Sequence, residues 1–201
     1  MVDAVTQYAP TAVFLKGVSG VGDRGGHVTP EDTAGIANAS ALAKASDTTI
    51  LVIGTDLSTA HEGHDAVNLT LSVNQQMLVA AVATAAPKPV VVVVMSAVPL
   101  DLSALLANPK VGAILYVGQP SVQCLGVGDV LFGKVAAAGR MVQTLYPASF
   151  QHMLSIFDMN MRPVSITAAS PLRSPNTLSW LLASAPRDSK SIRRAPSSVH
   201  A

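Results

Sequence analysis

The run Thr48-Thr49-Ile50-Leu51-Val52-Ile53-Gly54 constrains the fold more than any other stretch of the chain. It is short, apolar, rich in β-branched residues and closed by glycine, with no polar residue on alternate positions. A strand without a wet face belongs in a parallel sheet that is covered on both sides. A parallel neighbour requires a crossover, and the chain provides the parts of one. A polar loop runs from Thr55 to Asp65, and a helical stretch follows to Ala86. Ser72 with Gln75 three residues later has the spacing of a capping box at its start. Pro87-Lys88-Pro89 stops the helix, and Val90 to Met95 is a second buried strand of the same kind. Open parallel sheets collect ligands beyond the carboxyl ends of their strands, which is where the Thr55–Asp65 loop lies.

The same signals extend in both directions. Thr11 to Lys16 has the pattern of a first strand. A helix is expected from Pro30 to about Ala45, with Thr29 before it, Pro30 in its first turn, and Glu31 and Asp32 at its positive end. Asp101 to Leu106 is a short helix and Gly112 to Val117 a further strand. Ser121 to Phe132 is a helix closed by Gly133, and Gly139 to Tyr146 a last strand. The succession βαβαβα points to an α/β fold: a mostly parallel, doubly wound sheet flanked by helices. Residues 1–163 form this domain. Residues 164–201, rich in Ser, Pro and Arg, form a low-order tail.

Charge and composition narrow the function. A formal net charge of +1 offers no field for nucleic acid or an acidic membrane. Aromatic residues make up 4% of the chain, too few for a base-stacking platform. The most apolar run, Val90 to Met95, is far shorter than the roughly 20 residues that cross a bilayer. Met1-Val2-Asp3 lacks the basic start of a signal peptide. The single cysteine, Cys124, permits neither an intrachain disulfide nor a cysteine-based zinc site.

Two local motifs invite specific chemistry. Gly20, Gly22 and Gly25 satisfy G-x-G-x-x-G, and Asp56 stands after the next strand, where a ribose-binding acid would stand. In a dinucleotide site the helix opens directly on the glycines. Here Gly26 to Pro30 intervenes, so a flexible loop fits better and no cofactor is expected. His61-Glu62-Gly63-His64 is not H-E-x-x-H: its histidines are three apart, in a loop containing glycine, so solvated side chains rather than a metal site are expected.

From about Tyr8 to Pro163 the chain resembles the C-terminal α/β-sandwich domain of glycoside hydrolase family 3, in its β-xylosidase/α-arabinofuranosidase branch. The segments that carry the resemblance are Leu51-Val52-Ile53-Gly54-Thr55-Asp56, Glu62-Gly63-His64-Asp65, and Asn68-Leu69-Thr70-Leu71 with Asn74-Gln75-Gln76. Pro89 to Met95, Gly112 to Leu115, Asp129 to Gly133, Gly139-Arg140, Thr144 to Pro147 and Asp158 to Pro163 follow in order.

The resemblance implies hydrolysis of β-linked xylose, arabinose or glucose units with retention, as in xylan breakdown. Retention needs two carboxyl groups about 5–5.5 Å apart, one nucleophilic and one acid/base. In the family the nucleophile lies on a separate N-terminal barrel, while the acid/base glutamate lies on a loop of the domain seen here. A (β/α)8 barrel takes about 250 residues and does not fit in this chain. The chain is therefore expected to be an N-terminally truncated piece, inactive on its own, with xylo- or arabino-oligosaccharide and the missing barrel domain as its partners. It is also expected to self-associate through the surface that would face the barrel. The family is usually secreted.

The branch's Glu-Ala-Glu-Gly-x-Asp-Arg reads here as Ala60-His61-Glu62-Gly63-His64-Asp65-Ala66. Glu62 is then the acid/base candidate, with a carboxylate bonded to loop amides as the alternative. Asp65 is the substrate-binding candidate, orienting sugar hydroxyls or tying the loop to the next helix. A non-catalytic module that binds a carbohydrate or a partner is the second functional class that this loop permits.

Overall fold

The structure is a computed structural model, and it describes residues 1–21, 28–120, 124–141 and 143–153 together with Ser155 and Phe157. Its centre is a three-stranded sheet of β1 (Ile50–Gly54), β2 (Val90–Met95) and β3 (Val111–Gly118) in the order β1-β2-β3. Both pairings are parallel, with Val52 opposite Val93 and Val93 opposite Leu115. The α/β class and the three central strands follow the sequence closely. The strands follow one another in chain order with no reversal of that order, so the doubly wound arrangement is not seen among the described residues.

Helices α3 (Ile36–Lys44) and α4 (Val73–Ala85) pack on one another. Strand alternation turns Leu51, Ile53, Val90, Val92, Val94 and Ile114 to one face of the sheet. There they join Leu78, Val79, Val82 and Ala83 of α4 in a single apolar cluster. Each fully buried valine or leucine of this set contributes about 1.5–3 kcal/mol relative to exposure, so this layer is the main source of stability. The opposite face is covered unevenly: Val93 is sealed, while Val52 at the β1 edge is 44% exposed.

Short elements complete the chain. Helix α1 (Val2–Thr6) packs against α6 (Leu125–Leu131), where the Tyr8 ring stacks on Phe132 at 5.0 Å and its hydroxyl donates to the Asp129 carboxylate. The Gly133 and Lys134 amides donate to Val130 and Asp129 carbonyls, the two bonds of a Schellman cap, as expected for Gly133. Helix α5 (Ser103–Ala107) precedes β3, and a 3-10 turn covers Ala148–His152.

Four expectations are corrected. Thr11 to Lys16 is not a strand: no neighbour pairs with it among the described residues, and Val13 stands 65% exposed. The expected helix from Pro30 to Ala45 is divided into α2 (Pro30–Thr33) and α3, with Gly35 between them. The backbone of Lys16 and Gly17 crosses at that point, and a Cβ on residue 35 would lie 2.3 Å from the Lys16 carbonyl. The start of α2 is as expected, with Thr29 and Asp32 forming a reciprocal capping box.

The third correction concerns α4. Ser72 is its N-cap residue, but Gln75 points inward instead of closing a capping box. The fourth concerns Gly139–Tyr146, which forms no strand among its described residues. The preceding loop folds on itself, with the Arg140 guanidinium donating to the carbonyls of Ala138 and Gly139. Gly22, Gly25 and the tail beyond Pro163 lie outside the described residues.

Candidate active-site rim

The three strands end level with one another and are tied together just past their last residues. The Thr55 amide donates to the Met95 carbonyl at 3.0 Å, and the Ser96 amide to the Gly118 carbonyl at 2.9 Å. Thr55 and Ser96 share a hydroxyl–hydroxyl bond of 2.7 Å, and the Ser96 hydroxyl also reaches the Val98 carbonyl at 2.7 Å. From β3, the Tyr116 hydroxyl lies 3.2 Å from the carbonyls of both Ser96 and Val98. Burial pushes the Tyr116 phenol above its ordinary pKa, which favours the neutral, donating form.

Gly54 is the hinge from which the candidate loop leaves. Its φ of 153° is one that side-chain-bearing residues rarely adopt, and a Cβ there would lie 1.7 Å from the Met95 carbonyl oxygen. No other residue permits β1 to pass this close to β2 at its exit.

Beyond Thr55 the loop is built from local turns. Asp56 accepts the Ser58 amide at 2.8 Å and the Ser58 hydroxyl, an Asx turn that engages its carboxylate. The His61 and His64 amides each donate to the other's carbonyl at 2.9 Å, with Glu62 and Gly63 at the corners. Gly63 takes φ 79°, as the third position of such a turn requires. The two imidazoles stack at 5.2 Å, and the His61 Nδ1 lies 2.8 Å from the Glu62 carbonyl.

This turn carries Glu62, and Asp65 follows it directly; both sequence-predicted site residues are exposed. Neither carboxylate has a hydrogen-bond or ion-pair partner among the described residues. The alternative roles, Glu62 bonded to loop amides and Asp65 tying the loop to α4, are therefore not what this conformation shows. An exposed, unpaired carboxylate can accept sugar hydroxyls or exchange a proton with them. A retaining displacement needs a second carboxylate about 5–5.5 Å from the first. Among the described residues, no group of three or more His, Cys, Asp or Glu side chains is placed to hold a metal ion.

The sequence assigns the residues beneath the loop no part in the site, and its spacing reads Gln75 as a capping-box residue. Gln75 is 1% exposed; its Oε1 accepts the Gly54 amide at 2.8 Å and its Nε2 donates to the Gly54 carbonyl at 2.9 Å. Ser96 is equally sealed. A polar residue directly after an apolar strand, or on the inner side of an otherwise apolar helix, is the signal by which each was detectable. A separate apolar cleft of about 470 Å³ lies between β3 and residues 135–141, lined by Leu115, Val130 and Met141, and it does not include the loop.

The sequence matches the family model described as the glycosyl hydrolase family 3 C-terminal domain over residues 1–171. It is 40% identical over 131 residues to beta-D-xylosidase 3 of Arabidopsis thaliana, covering 65% of this chain and 17% of that protein. Beta-xylosidase/alpha-L-arabinofuranosidase 2 of Medicago sativa is 37% identical over the same share of each chain. Among solved structures, a GH3 exo-beta-xylosidase in complex with a xylobiose aziridine probe superposes with a TM-score of 0.60 at 33% identity, over 70% of this chain and 18% of that one. The chain thus spans less than a fifth of these relatives' length. With the family match, the parallel sheet and the ordered rim in agreement, this chain belongs to glycosyl hydrolase family 3, in its C-terminal domain.

Proposed function

We propose that this chain supplies one wall of a sugar-binding cleft in a retaining β-glycosidase of the β-xylosidase/α-arabinofuranosidase kind. Glu62 is its acid/base candidate and Asp65 its contact to sugar hydroxyls. The observation that carries this reading is the position of the two exposed carboxylates, Glu62 on a structured turn and Asp65 just after it, in the loop at the carboxyl end of β1. That is where parallel sheets bind their ligands. The names of the relatives, xylosidases and arabinofuranosidases, support xylo- or arabino-oligosaccharide as the ligand class. The nucleophile is assigned to a barrel domain outside these 201 residues, with residues 1–163 as the folded unit and residues 164–201 as a tail.

The second reading, a carbohydrate- or partner-binding module without catalysis, is favoured by Ala60. It stands where the family resemblance places a glutamate, so Glu62 has to act from a position two residues further on.

Two measurements on the 201-residue protein test the proposal. Titration with xylobiose, followed by ¹⁵N NMR, is expected to shift the amides of residues 55–65 selectively. No shift at millimolar sugar overturns the cleft assignment. The protein alone is expected not to turn over a nitrophenyl xyloside. Turnover at an ordinary enzymatic rate overturns the assignment of the nucleophile to another domain.

A further inference from the structure

Gln75 uses both polar atoms of its carboxamide on partners from three places in the chain, Gly54, Val21 and Ser72. Its pair of bonds to Gly54 reproduces what a neighbouring strand would offer, at the last residue of β1 and on an edge of the sheet that no strand occupies among the described residues. Its Nε2 is also 2.9 Å from the Val21 carbonyl and 3.0 Å from the Ser72 hydroxyl. Next to it, the Asn74 side chain donates to the Gly20 carbonyl at 3.0 Å. The first turn of α4 thus grips residues 20–21 with one hand and the exit of β1 with the other.

We propose that Gln75 is a positioning residue of the rim: it fixes residues 20–21 and the β1 exit in one relation, so that the loop carrying Glu62 and Asp65 leaves the sheet in a single direction. This deepens the proposed function and rests on it for the consequence to sugar binding. The physical reason is local. Gly54 has the backbone freedom of glycine, so nothing in its own conformational preferences fixes the course of Thr55 and beyond. Thr55 is held on the β2 side by Met95 and Ser96, and Gln75 supplies the hold on the open side. Removing the carboxamide leaves the Gly54 amide and carbonyl without partners in a sealed place, and they regain them only by moving toward water. Such a movement turns the root of the loop.

The test compares backbone relaxation of the full chain carrying Gln75→Met, Gln75→Glu or, as a control on the same helix, Val79→Ala, each well below its melting temperature. Order parameters for residues 58–64 are expected to fall from near 0.85 to below about 0.6 in Gln75→Met and to stay unchanged in Val79→Ala. Gln75→Glu keeps an acceptor for the Gly54 amide but cannot donate as a carboxylate. It is expected to displace the Gly20 and Val21 amide signals while leaving that of Gly54 near its original position. Equal loop order in Gln75→Met and Val79→Ala reduces Gln75 to ordinary core packing and overturns the proposal. If Gln75→Met does not fold, unmoved Gly20 and Val21 signals in Gln75→Glu do the same. In a xylobiose titration, Gln75→Met is expected to bind about tenfold more weakly than Val79→Ala. If the unaltered chain binds no xylobiose, the proposed function fails, and the relaxation data still decide the role of Gln75.

Discussion

The carboxylate of Asp101 accepts the backbone amide of Ala148, 47 residues away, at 2.8 Å. Its other oxygen accepts the Ser103 amide, also at 2.8 Å, at the start of α5. One side chain therefore fastens the returning C-terminal segment, including the core residue Leu145, to the helix before β3. Burial pushes the Asp101 carboxyl upward, but the Ala148 amide and the hydroxyl and amide of Ser103 outweigh it, and the pKa falls below its ordinary value. A carboxyl group with a depressed folded pKa stabilises fully above its unfolded pKa, near 3.9, and loses that stabilisation as pH falls through the folded value. The melting temperature is expected to drop more steeply below about pH 4 in the unaltered chain than in Asp101→Asn. At neutral pH, Asp101→Asn is expected to cost about 1 kcal/mol, below the usual range for charged hydrogen bonds, because the side chain is partly exposed. Parallel thermal melts of both proteins from pH 2.5 to 7 check both statements.

Gly54 tests the construction of the rim. Any side chain there meets the Met95 carbonyl at 1.7 Å, in a backbone conformation that already disfavours it. Relief requires separating β1 from β2 at their exits, which breaks the Thr55–Met95 bond. Gly54→Ala is expected to destabilise the chain by more than about 3 kcal/mol, combining backbone strain with overpacking. Chemical denaturation measures it. A loss under 1 kcal/mol refutes the close approach of the two strands.

The buried framework was legible because its signals are local and redundant. Val90 to Met95 has no polar residue, proline stops precede it, and strand and parallel pairing followed from that pattern alone. Thr29-Pro30 and Gly133 marked helix ends through chemistry that acts within one turn. Thr11 to Lys16 carried an equally good strand pattern and failed, because a strand needs a neighbour and sequence periodicity does not show whether one is in place. The loop with Glu62 and Asp65 was located correctly from the strand before it. The residues beneath it were not foreseen, since Gln75 bonds to Gly54 and Val21 through contacts 21 and 54 residues apart.

Thr59 offers a prediction of opposite sign. Its hydroxyl oxygen is sealed from solvent inside the candidate loop with no hydrogen-bond partner among the described residues. A buried hydroxyl without a partner forgoes its bonds to water and gains nothing in return. Thr59→Val keeps the shape and removes that cost, and is expected to raise stability by about 1 kcal/mol. A melting temperature lowered by the substitution indicates that the hydroxyl has a partner in solution.

The apolar side chains left uncovered give the last prediction. Phe14 is 43% exposed and Leu15 51% exposed in a segment without secondary structure whose residues 13–16 make no backbone hydrogen bond among the described residues, and Val52 is 44% exposed at the rim of the sheet. Extended apolar segments with unpaired amides and carbonyls are templates for pairing with another chain. Isolated apolar side chains are common on protein surfaces, but neighbouring ones along a single unpaired segment form a continuous adhesive strip. The 201-residue protein is therefore expected to self-associate as concentration rises. A charge in the middle of the strip opposes pairing through repulsion between copies and through the cost of burying it. Leu15→Lys is expected to shift sedimentation profiles toward the monomer with little change in melting temperature, because the native side chain is half in water already. Sedimentation velocity over a hundredfold range of concentration decides the matter: a single monomeric species throughout, in the unaltered chain, removes this strip as an association surface.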